Sequence, residues 1–179
     1  MSFHNKQLNG MVDMGSSSQL YVPPRQGAEW LVGVGFRCWL AGYDTGDIAC
    51  WETGWNEYSK ALGPERAKRA VTELACWVRT LRGHASRKIE YYPFGCNGFC
   101  PDECMAVSLI AASQHSRCPA MQACALALTG SSFVDPVIDA ANAFGDVLQD
   151  ADLRLSPEAV AALAANSRGG ENAAAAGRG

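Results

Sequence analysis

No run of this chain is apolar for long enough to cross a bilayer, and that absence removes the membrane-spanning classes first. The longest apolar stretch, Trp30 to Leu40, is broken by Arg37, whereas a spanning helix needs about 20 consecutive apolar residues. Residues 1–26 hold no apolar h-region, so no secretory leader is expected, and the cytoplasm is the expected compartment. An excess of one charge is missing too. The formal net charge of −3 gives no general attraction to nucleic acid or to an anionic membrane surface.

Enzyme signatures are equally scarce. Gly33-x-Gly35 lies inside an apolar helical run without the rest of a dinucleotide fingerprint, and there is no phosphate loop. Neither a Gly-x-Ser-x-Gly elbow nor His-Glu-x-x-His is present. Asp44 and Asp47 read as a turn and a helix N-cap, not as paired catalytic carboxylates. The close Cys-x-x-Cys pairs of structural zinc sites are absent, as is the bacterial ferredoxin run.

What the chain does have is eight cysteines in 179 residues. Five of them, with one histidine, crowd into one segment: Cys96, Cys100, Cys104, His115, Cys118 and Cys124. In a reducing compartment such thiols point to a metal or to thiol chemistry and away from stable disulfides. Gly95, Gly98 and Pro101 put Cys96 and Cys100 in a loop. They make Cys100 an N-cap, with Pro101 at the first helical position and Cys104 one turn on. Cys118-Pro119 repeats the Cys-Pro start. A helix N-terminus carries about half a positive charge and favours a thiolate, so two such starts suggest two thiols aimed at one site. Asp102 and Glu103 oppose that, and their side chains are expected to turn to solvent.

A [4Fe–4S] cluster held by Cys96, Cys100, Cys104 and Cys118, with Cys124 as an alternative fourth ligand, is the leading expectation. Zinc on Cys96, Cys100 and Cys104 with His115 or Cys118 is the alternative, although His115 also reads as a cap for helix-end carbonyls. With no enzyme motif, the expected role is redox sensing, regulation or electron transfer. A non-catalytic helical protein-interaction module, with structural zinc or no metal, is the competing reading. A thiol enzyme using Cys100 or Cys118 lacks any base placed by the sequence.

The periodicity is helical almost throughout. An all-α single domain of about five to seven helices is expected over residues 27–166. It would be flanked by a flexible arm, 1–26, and a low-complexity, disordered tail, 167–179. The first helix, from Ala28 to near Tyr43, is apolar on most faces and reads as central. Its Gly35, Cys38 and Gly42 would let a neighbour approach closely. The second would present Ile48, Trp51, Trp55, Tyr58 and Leu62 to the core. The third, Pro64 to Arg82, carries an apolar stripe from Ala67 to Leu81 and stops at Gly83. Arg87 to Phe94 reads as a short extended segment, and its Tyr91-Tyr92-Pro93-Phe94 end is expected to pack over Cys96. Further helices are expected at Pro101–Gln114, Pro119–Thr129, Phe133–Leu148 and Ser156–Ala165. Arg82, Arg87 and Lys88 form a modest basic patch for phosphates, a nucleic acid or an acidic protein partner.

Overall fold

A computed structural model describes residues 27–159. The described chain is helical, with no strand among the described residues. Its helices are α1 (Ala28–Thr45), α2 (Ile48–Leu62), α3 (Pro64–His84), α4 (Pro101–Gln114), α5 (Cys118–Thr129) and α6 (Asp135–Asp150). The expected arm and tail, and most of the expected final helix, lie outside the described residues. Arg87 to Phe94 forms no strand; it runs as a loop across the start of α4.

Two helices form the centre. Every residue of α1 from Leu31 to Leu40 is buried, and so is every residue of α4 from Asp102 to Ala112 except Met105. A helix surrounded by neighbours has no polar stripe, which is why neither shows a clear amphipathic period. The other four helices pack around them: α2 and α3 against α1, α5 and α6 against α4, with α3 against α6 closing the ring.

The small residues of α1 do admit a neighbour. A Cβ on Gly35 would collide with the Tyr58 ring, one on Gly42 with Trp51, and one on Gly54 of α2 with Trp39. These pairings run antiparallel along the α1–α2 seam. They also correct the expected face of α2. Tyr58 is fully buried and Trp51 half-buried, but Ile48 is 64 % exposed and Trp55 37 % exposed. Gly54 lies against Trp39 and Cys38 of α1, so the helix is rolled until Trp51, Gly54 and Tyr58 face inward, and Ile48 and Trp55 are turned out.

The other helices follow the sequence with shifted ends. α3 continues through Gly83 to His84, whose Nδ1 bonds the Thr80 carbonyl 2.8 Å away. Beyond α6 the chain is strapped back over the centre. Leu155 N–H donates to the Gln114 side-chain oxygen and Ser156 N–H to the buried Glu29 carboxylate. Ser108 Oγ donates to the Ala159 carbonyl. Buried backbone groups need such partners where no helix supplies them.

Candidate thiol site and the buried ion pairs around it

The cysteine loop is shaped by an arginine that interrupts an apolar helix. Arg37, on α1, is 2 % exposed, and Glu103, on α4, is fully buried. The guanidinium meets the carboxylate through two parallel hydrogen bonds, Nε to Oε1 and Nη2 to Oε2. This bidentate fork suits arginine better than any other cation. The remaining donors reach the loop: Nη1 to the Cys96 carbonyl at 3.1 Å and Nη2 to the Gly98 carbonyl at 2.7 Å. Glu103 in turn accepts from the backbone N–H groups of Tyr92, at 3.2 Å, and Cys100, at 2.8 Å. Both ends of the loop are therefore bonded to one buried ion pair.

Asp102 does parallel work one residue earlier. It is 6 % exposed. Its carboxylate takes both terminal nitrogens of Arg87, at 2.7 and 2.8 Å, and the N–H of Glu90 at 2.8 Å. The expectation that Asp102 and Glu103 face solvent is thus corrected. A buried carboxylate needs a paired, hydrogen-bonded cation to offset its desolvation, and each has its own arginine. Sequence reasoning missed the role of Arg37, and it read Arg87 as part of a basic patch and not as the partner of Asp102. A lone arginine amid ten otherwise apolar or small residues was the available signal, because a buried cation requires a nearby anion.

Cys100 is the N-cap of α4, as expected. Its thiol accepts from the Glu103 N–H while Glu103 accepts from the Cys100 N–H, a capping box with sulfur in place of the usual hydroxyl. The Cys100 Sγ–H reaches the Glu90 carbonyl at 3.3 Å, and Cys104 Sγ–H reaches the Phe99 carbonyl at 3.8 Å. Burial pushes the Cys100 thiol up to about 11 and the Cys104 thiol up to about 12, with Cys100 itself adding to the rise at Cys104. Burial alone pushes Cys124 up to about 11. In each case desolvation outweighs any help from a helix N-terminus.

The remaining residues of the expected site lie elsewhere. Arg87 donates to the Ala127 carbonyl near the end of α5 while holding Asp102 in the first turn of α4. α4 and α5 are therefore an antiparallel hairpin, and α5 begins where α4 ends. The 14 residues of α4 rise about 20 Å at 1.5 Å each. That length separates exposed Cys118 from Cys100, and about 15 Å of it lies beyond Cys104. His115, at the same far end as Cys118, bonds the Leu155 carbonyl through Nε2 at 2.8 Å. Cys124 sits half-buried midway along α5. Cys96 is exposed, and Phe94, expected to shield it, is 63 % exposed.

The structure thus brings Cys100 and Cys104 together and leaves the other ligands apart. Among the described residues no three His, Cys, Asp or Glu side chains are grouped so as to hold a metal ion. No family matches. Neither a protein-family model, nor a curated protein, nor a solved structure is matched by this chain.

The expected basic patch is also divided. Arg82 pairs with Asp44 at 3.0 Å, Arg87 with Asp102, and Lys88 with Glu90 at 3.7 Å. No helix of the described residues is long and apolar enough to cross a membrane.

Proposed function

We propose that this protein is a non-catalytic helical interaction domain whose cysteine segment serves the fold and whose partner docks on the outer face of α2. The observation that carries the reading is the exposure of Ile48 and Trp55. They lie seven residues apart, two turns on one helix face and about 10 Å from each other. Exposed large apolar side chains at this spacing suit an amphipathic helix of a protein partner, with two anchors entering one seam. Glu52, Asn56 and Lys60 give this face the polar rim that such interfaces have. Further support comes from the segment that looked chemical. Its charged groups are engaged in pairs that hold α1, α4 and the loop together, and its inner thiols are buried and protonated at neutral pH.

The test compares wild type with Ile48→Lys and Trp55→Ala, each checked for native helicity, as bait in quantitative cross-linking under reducing, anaerobic conditions. One partner that forms a stoichiometric purified complex with wild type, and binds each variant at least about tenfold more weakly, is the expected result. Equal recovery by all three would refute the docking face. The same anaerobic sample gives the metal content. Iron with acid-labile sulfide and a visible absorption band, or stoichiometric zinc, would refute the structural role given to the thiols.

A further inference from the structure

We propose that the cavity between the C-terminal ends of α1 and α3 binds a small oxyanion, phosphate or carboxylate, that carries a flat apolar group. This site is separate from the outer face of α2 and does not depend on it. The cavity has a volume of about 470 Å³ and is lined by Tyr43, Arg79, Arg82 and Gly83. The hollow is broadly open to solvent.

Its two guanidiniums face two helix ends and one carboxylate. Both helices end here, α1 at Thr45 and α3 at His84, and each C-terminus carries partial negative charge that one cation can complement. Asp44 adds a full negative charge, and Arg82 answers it through Nε alone. The two terminal nitrogens of Arg82 have no hydrogen-bond partner among the described residues. Arg79, one turn before it on the same face of α3, is exposed with no hydrogen bond or ion pair among the described residues. Guanidinium pairs at this spacing can grip one oxyanion from two sides.

The apolar wall is held in place. Tyr43 donates its hydroxyl to the Ala75 carbonyl at 3.3 Å, and its ring meets Trp51 edge-on with centroids 5.8 Å apart. Gly83 contributes no side chain, and a Cβ there would meet nothing within 4 Å. A ligand can therefore lie over Gly83 with its ring against Tyr43 and its anionic end between the arginines. Asp44 competes with that ligand for Arg82, which gives the proposal a sign that general surface charge would not produce.

The experiment titrates the full chain, at low ionic strength, with phenyl phosphate, benzoate, inorganic phosphate and benzyl alcohol, following backbone amide shifts. The expected result is saturable shifts at Tyr43 and Gly83 with phenyl phosphate or benzoate, weaker binding of inorganic phosphate, and no saturation with benzyl alcohol. Arg79→Gln should weaken the best ligand at least about tenfold, the loss of a charge-assisted hydrogen bond. Asp44→Asn should strengthen it several-fold. No saturable shift at these residues, or unchanged affinity in Arg79→Gln, would overturn the site. Benzyl alcohol binding as tightly as the anions would overturn its charge selectivity.

Discussion

The chain writes Cys-Pro at the start of two helices, and the fold treats them in opposite ways. At Cys100-Pro101 the cysteine is the N-cap, 3 % exposed, and engaged in a reciprocal capping box. At Cys118-Pro119 the helix begins one residue earlier in register, the N-cap is Arg117 with no side-chain cap, and the thiol is exposed. The difference lies in the two residues after each proline. Asp102 and Glu103 occupy the first turn of α4, whereas Ala120 and Met121 come after Pro119 in α5, which has no acid in its first turn. Two carboxylates recruit Arg87 and Arg37, and the arginines draw in the loop and close it over the thiol. A shared dipeptide does not make a shared site; the environment comes from charges that the dipeptide does not contain.

The largest break in this comparison comes from removing that charge. Glu103→Ala or Arg37→Ala should lower the unfolding free energy by about 3–5 kcal/mol, since each leaves its partner charged and buried. Replacing both, as Arg37→Met with Glu103→Met, should recover part of the loss. Recovery stays incomplete because the Cys96 and Gly98 carbonyls and the Cys100 and Tyr92 N–H groups lose their partners. Urea unfolding of the two single variants and the double variant measures this. Additive losses would show that the two side chains act independently.

How much of this was legible in the sequence differs between fold and site. The central role of α1 followed from its apolar residues on most faces, and the close approach of a neighbour, though not which one, from Gly35, Cys38 and Gly42. The Cys100 N-cap followed from Pro101. The roll of α2 did not: Ile48, Trp51, Trp55, Tyr58 and Leu62 fit a helical stripe, and only the contact at Gly54 decides which edge faces in. The separation of the thiols was open to inference. Three residues connect α4 to α5, and so short a connection makes neighbouring helices antiparallel, which carries Cys118 to the far end. The two ion pairs link residues 66 and 15 positions apart, beyond the reach of any local pattern.

A smaller break separates the two helix starts directly. Cys100→Ala removes a side-chain cap and should cost about 0.5–2 kcal/mol, while Cys100→Ser, which keeps an acceptor, should cost less. Cys118→Ala removes no cap and should stay within about 0.5 kcal/mol of wild type. Equal losses at the two positions, read from denaturation midpoints at unchanged slope, would show that the capping box contributes nothing to stability.

The smallest effect is absent at neutral pH and grows only in alkali. Cys38 and Cys104 are pushed up to about 12, and Cys100 and Cys124 to about 11, in every case chiefly by burial. The same thiols ionise near 9 when unfolded. Above that point the unfolded chain releases protons that the folded chain keeps, so stability must fall as pH rises. Below it both states hold the protons, and these thiols add no pH dependence. Unfolding free energy should therefore be insensitive to them from neutral pH to about 9, then decline. The window just above 9 is the informative one, before unfolded tyrosines titrate near 10. Cys104→Ser should make the decline in that window shallower without changing its start. The same protonation slows reaction at neutral pH, so a small alkylating reagent should label exposed Cys96 and Cys118 well before Cys100, Cys104 and Cys38. Labelling of Cys100 as fast as Cys118 would mean that the closed loop opens readily, and that the two helix starts differ less in solution than their burial implies.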